Sequence, residues 1–189
     1  FSGTGANQTV TGFNFQPDFV WNKTRNQTRH HTINDSVRGG GHLKPSNTDQ
    51  EGSSTISAYN SDGYDWTYEG TNVWYDSSAT VVSWAWKAGG SASSNSNGTI
   101  TSSVSANQNA GFSIVSYTGN ATDGATVGHG LSQTAEAVLV KRRDNAAHWQ
   151  YLHKNLASGK VLLLSSSNGE DPYSGFSGGG IDNLASTTF

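Results

Sequence analysis

The stretch Thr80-Val-Val-Ser-Trp-Ala-Trp-Lys87 decides how this chain is read. Thr80, Val82, Trp84 and Trp86 fall on one side of an extended segment, and Val81, Ser83, Ala85 and Lys87 fall on the other. That period of two marks a β-strand. Trp84 and Trp86 are large enough to fill one layer of a sandwich, so they are expected to belong to a core. Phe112-Ser-Ile-Val-Ser-Tyr-Thr118 and Ala137-Val-Leu-Val-Lys-Arg142 read the same way. So do Phe19-Val-Trp21, Trp149-Gln-Tyr-Leu152 and Val161-Leu-Leu-Leu164. Turn signals stand between them at Asp62-Gly63, Asn97-Gly98, Asp123-Gly124, Asn168-Gly169 and Gly178-Gly-Gly180. No capped apolar stripe of helical period exceeds about two turns, and only Thr32 to Arg38 and Lys154 to Ser158 have room for a helical turn. The pattern predicts an all-β protein, an antiparallel β-sandwich of jelly-roll or lectin-like type.

Composition narrows the function classes. The 189 residues are 33% hydrophobic and only 13% charged, with a net charge of -3. A basic face for nucleic acid is not expected from that balance. No apolar run approaches the roughly eighteen residues of a membrane-spanning helix, so membrane insertion is not expected. With no cysteine, the chain has neither disulfides nor a thiolate for zinc or nucleophilic catalysis.

An internal repeat organises the sequence. Phe1-Ser-Gly-Thr4, Thr9-Val10 and Phe19-Val-Trp21 with Lys23 and Arg25 match a second series. That series is Tyr117-Thr-Gly-Asn120, Thr126-Val127 and Val138-Leu-Val140 with Lys141 and Arg142. The match continues from the His30-His31 region to His148, from Asp35-Ser-Val-Arg-Gly39 to Asn155-Leu-Ala-Ser-Gly159, and from Leu43 to Leu163. The spacing, from 116 residues at Phe1/Tyr117 to 120 at Leu43/Leu163, exceeds any solenoid period and implies a duplicated unit. Two related halves are expected, residues 1–90 and 99–189, with the serine-rich stretch 91–98 as a flexible linker. The second half is expected to be incomplete at its C-terminus. The strand Phe112–Ser116 precedes Tyr117 while nothing precedes Phe1, and the Trp-rich Tyr64–Lys87 region has no second copy. A piece of a longer, repetitive polypeptide would show this pattern.

Motifs for chemistry are weak. His30 and His31 are adjacent, so on a strand they face opposite ways, and no His-x-His pair supports a metal site. Asn60-Ser-Asp-Gly-Tyr-Asp65 alternates oxygen ligands but lacks the closing glutamate and the helices of a calcium hand, so a hairpin turn is the simpler reading. No catalytic residue, metal or cofactor is expected. The candidate binding residues are Tyr64, Trp66, Tyr68 and Trp74, set among Asp, Glu, Asn and Gly. That setting suits a loop or strand edge where rings stack on sugars or fill a subunit contact, with burial in the core as the alternative.

Several blocks together carry a resemblance. Phe15-Gln-Pro-Asp-Phe-Val-Trp-Asn-Lys-Thr-Arg25, Asp35-Ser-Val-Arg-Gly39, Asn60-Ser-Asp-Gly-Tyr64 and Val82-Ser-Trp-Ala-Trp-Lys-Ala-Gly-Gly90 resemble an uncharacterised module. Gly111-Phe-Ser-Ile-Val-Ser-Tyr-Thr-Gly119 and Val127-Gly-His-Gly-Leu131 belong to the same series. The module recurs in bacteriophage virion proteins, chiefly tail fibres and related appendages of marine and freshwater phages. The resemblance implies a non-catalytic structural or adhesive module of the virion surface. Its partners would be other virion proteins, copies of itself (a trimer is a common fibre state) and a host surface glycan. A capsid decoration protein and a secreted lectin-like carbohydrate-binding β-sandwich are the alternatives.

Overall fold

The computed structural model describes residues 1–68, 70, 75–172, 181 and 184–189. Among these residues thirteen strands appear in chain order: β1 (Gln8–Thr11), β2 (Phe19–Thr24), β3 (Thr32–Asp35), β4 (Ile56–Asn60), β5 (Gly63–Trp66), β6 (Val81–Trp86), β7 (Ser93–Asn95), β8 (Ser102–Asn107), β9 (Phe112–Tyr117), β10 (Ala137–Val140), β11 (Gln150–His153), β12 (Lys160–Leu163) and β13 (Asp171–Pro172). Among the described residues there is no helix, and the chain is all-β with antiparallel sheets in a sandwich arrangement. Four sheets form, ordered β1-β5-β4, β3-β2-β6, β7-β8-β9 and β10-β11-β12-β13. Thr32–Asp35, the first part of the stretch Thr32 to Arg38 that has room for a helical turn, is instead a strand that pairs with β2 from Phe19↔Asp35 to Asn22↔Thr32.

The central sheet is β3-β2-β6. Its inner face meets β1-β5-β4 over a core of Val10, Val20, Ile56, Tyr64, Trp66, Tyr75, Ala79 and Val81. Strand β2 alternates half-buried and buried residues along its whole length, with Val20, Asn22 and Thr24 pointing inward. A second cluster forms behind β2 and β3, where Ile33, Leu43 and Trp149 pack with Phe19, Trp21, Leu139 and Leu164.

This second cluster joins residues from both sides of position 90, so the expected halves share apolar packing. Polar contacts tie them too: the Trp149 indole N–H donates to the Lys44 carbonyl at 2.9 Å, and Arg143 pairs with Glu51 at 2.7 Å. Nor is 91–98 a free linker. It contains β7, which pairs with β8 from Ser93↔Val104 to Asn95↔Ser102. Serine's small side chain costs an edge strand little, and the ladder satisfies its backbone groups.

A few local features recur at positions that the expected repeat aligns. β2–β3 and β10–β11 are both antiparallel pairs. His30 Nδ1 lies 2.9 Å from Ser46 Oγ, and His148 Nδ1 lies 2.9 Å from Ser165 Oγ. Gly39 and Gly159 both take positive φ, 80° and 71°.

The hairpin β4–β5 turns at Ser61-Asp62, since Asn60 pairs with Gly63. Gly63 therefore lies within β5, where a Cβ would stand 1.8 Å from the Val10 carbonyl oxygen. Close approach to β1, rather than turn geometry, requires glycine there.

Candidate aromatic site on the outer sheet face

The packing of the inner face determines what the outer face can display. Tyr64 and Trp66 come from β5, the middle strand of its sheet, and are 0% and 4% exposed. The Tyr64 hydroxyl donates to Asn22 Oδ1 at 3.0 Å and lies 3.2 Å from Ser83 Oγ. Burial pushes this phenol up to about 12, against the pull of the Ser83 and Asn22 hydrogen bonds. Trp66 meets Tyr75 edge to face with centroids 4.0 Å apart. These rings already fill the space opposite β2 and β6, so the inward residues there are Val20, Asn22, Thr24, Val81, Ser83 and Ala85, none of them aromatic.

Trp84 and Trp86 consequently project from the outer face. The sequence reading placed them in the core, but they are 46% and 39% exposed. Cross-strand pairing sets Trp84 opposite Trp21 and Trp86 opposite Phe19. The second apolar cluster covers Trp21 and Phe19 in part and stops short of β6. At the β6 side, Trp86 lies edge to face with Phe19 at 5.3 Å and nearly parallel to Phe112 of β9 at 6.1 Å. Phe19 and Phe112 complete a three-ring group at 5.7 Å. Each ring of this group packs on its neighbours, so the exposed surface of Trp86 is presented on an aromatic support.

A cleft of about 820 Å³ opens just beyond the end of β6, between Lys87–Gly90 and Ala106–Ala110. Gln16, Asp18, Lys87, Asn107, Gln108 and Asn109 are among its lining residues. Asp18 is 2% exposed and structural, accepting hydrogen bonds from Ser36 Oγ at 3.1 Å and the Ala88 amide at 2.8 Å. Lys87 and Asn109 are exposed.

Of the four residues that the sequence singles out, Tyr64 and Trp66 are therefore core groups that a ligand in solvent does not touch. Tyr68 is half-buried and outside the aromatic group. Trp74 lies outside the described residues. The six histidines scatter: His31 Nδ1 accepts the Trp21 indole N–H at 2.8 Å, while His30 bonds Ser46. His42 and His129 are 4% and 2% exposed. Among the described residues no three His, Cys, Asp or Glu side chains are grouped to hold a metal. Asp62 and Asp65 serve the loops, Asp62 by accepting the Gly12 and Asn14 amides and Asp65 by accepting from Thr9 and Asn60.

Fold and site together define a β-sandwich protein with an aromatic platform on one sheet face. The chain belongs to the family described as Domain of unknown function (DUF7483), whose profile matches residues 1–188. Neither a curated protein nor a solved structure matches it.

Proposed function

We propose that this chain is a non-catalytic structural and adhesion module of a bacteriophage virion, carried in a tail fibre or surface appendage. It works on the particle surface among other virion proteins and copies of itself, and it contacts a host surface glycan. The observation that carries the binding part is the exposed pair Trp84 and Trp86, of which Trp86 packs on Phe19 and Phe112. Flat rings of this kind pack against the C–H faces of sugars. The two-half design supports a fibre origin, since recurring contacts such as His30–Ser46 and His148–Ser165 fit a duplicated unit. The virion setting itself rests on the sequence resemblance.

Two measurements test this reading. Purified chain applied to an array of bacterial surface glycans is expected to bind a subset. Trp84→Ala with Trp86→Ala should then weaken binding about tenfold or more, the loss expected for about 1.4 kcal/mol of stacking. Antibody labelling of intact particles should mark fibres or appendages. Labelling of the capsid shell would indicate a decoration protein, and no labelling of particles would favour a secreted lectin.

A further inference from the structure

The charges of this chain are unevenly spread, and the aromatic platform lies where carboxylates are missing. Acidic residues outnumber Lys and Arg, 14 to 11. Yet the two stretches that build the platform, residues 19–34 and 77–122, contain Lys23, Arg25, Arg29 and Lys87 and no Asp or Glu. The carboxylates that border them are already engaged. Asp18 and Asp35 are buried. Asp18 accepts from Ser36 and the Ala88 amide, and Asp35 pairs with Arg38 at 2.5 Å. Asp76 accepts from Gln27 and Ser78 and lies 3.8 Å from Arg29.

Most of this positive charge sits in the hairpin loop between β2 and β3. Lys23-Thr-Arg-Asn-Gln-Thr-Arg-His-His31 carries Lys23, Arg25, Arg29 and two histidines. Arg25, Arg29 and His30 are exposed, and Lys23 is half-buried. The Lys23 ammonium donates to the Thr24 and Gln27 carbonyls, which uses two of its three protons and leaves its charge in place. Among the described residues no carboxylate forms an ion pair with Lys23 or Arg25.

Register places this loop at one end of the aromatic strip. Phe19 stands opposite Trp86, Trp21 opposite Trp84, and Lys23 opposite Val82. Lys23 shares the half-buried phase of β2 with Phe19 and Trp21, so it belongs to the outer face. Successive rows on one face are two residues apart, roughly 7 Å. His31, at the far end of the loop, accepts the Trp21 indole N–H at 2.8 Å and meets that ring edge to face. The loop is thereby tied to the row that presents Trp84, and a sugar chain stacked on Trp84 and lying along the strands runs into it.

We propose that the platform binds an acidic saccharide, with a carboxylate-bearing sugar held by Lys23 and Arg25 next to a sugar stacked on Trp84. An ammonium and a guanidinium fork are donors that match a carboxylate. The net charge of -3 opposes any polyanion at long range, so the preference comes from this loop and not from the molecule as a whole. The proposal rests on the reading of the platform as a glycan-binding surface and names the class of glycan.

The test pairs each acidic polysaccharide on an array of bacterial surface glycans with its carboxyl-reduced form, which keeps the sugar rings and loses the charge. The whole chain should bind the acidic member about tenfold or more tightly at low salt. Raising salt from about 0.01 M to about 1 M shortens the screening length from roughly 30 Å to roughly 3 Å and should bring the two affinities together. Lys23→Gln combined with Arg25→Gln should do the same at low salt. Arg25→Gln alone, at an exposed position, should lower the ratio about threefold. Lys23→Arg with Arg25→Lys keeps both charges and should keep the preference. Equal binding of both members by the wild-type chain overturns the proposal and leaves the adhesion reading standing. Equal affinity for single-stranded DNA overturns it too, since the loop would then be a general polyanion contact. Binding to no glycan, acidic or neutral, removes the adhesion reading and this proposal with it.

Discussion

Two groups of rings sit on opposite sides of the sheet β3-β2-β6, and they do opposite jobs. Tyr64 and Trp66 reach it from the facing sheet, Tyr75 joins them from the segment before β6, and all three are nearly sealed from solvent. Trp84 and Trp86 stand on the sheet itself and remain more than a third exposed. Both groups arise from the same alternating pattern, so periodicity alone does not decide which becomes core. Volume decides: a sandwich interior is close-packed, and once β5 supplies the large rings, β2 and β6 must meet them with Asn22, Thr24, Ser83 and Ala85.

The largest effect expected from this comparison is at Trp66. Trp66→Ala removes a buried ring and should cost about 3–5 kcal/mol, visible as a fall in Tm of roughly 10 °C for a chain of this size. A loss near 1 kcal/mol would mean that the inner rings are not the core. Tyr64→Phe keeps the ring but takes away the hydroxyl between Asn22 and Ser83, leaving Asn22 Oδ1 without its donor. Denaturant unfolding should show a loss of about 1–2 kcal/mol.

Substitutions on the outer face should hardly move stability. Trp84→Ala is expected to change unfolding by no more than about 1 kcal/mol, while glycan binding falls. If calorimetry found Trp84→Ala as damaging as Trp66→Ala, the distinction between the two faces would fail. The smallest effect concerns His31, also on the outer side. Partial burial, with Lys23 and His30 nearby, holds its imidazole below the ordinary 6.5. The neutral ring accepts the Trp21 indole N–H, so the stability associated with this site is fully present above pH 6.5 and is lost as pH falls through the lowered value. Thermal melts between pH 7.5 and 5 should show this loss, and His31→Gln should flatten it.

Most strands were legible from sequence because period-two runs and turn residues act locally. Phe19–Trp21, Phe112–Tyr117 and Ala137–Val140 lie where the alternation puts them. The orientation of β6 was not legible, since it depends on a strand more than fifteen residues earlier in the chain. The polar company of Tyr64 and Trp66 misled for a related reason. Asp62 and Asp65 satisfy the loop ends and the outer side of β5, while the intervening rings turn inward. The sequence Tyr64-Asp65-Trp66 is itself an alternation, and it was the available signal for a half-buried strand. Ser91–Ser96 illustrates the converse, a composition typical of linkers that nevertheless contributes a paired edge.

The seating of the segments around residues 1 and 189 has a mechanical consequence. Phe1 and Gly3 are held to Val81 and Ala79 by three backbone bonds, and Thr187 and Phe189 are held to His129 and Val127 by three more. Tension applied through residues 1 and 189 therefore loads these short clamps first, before it reaches either apolar cluster.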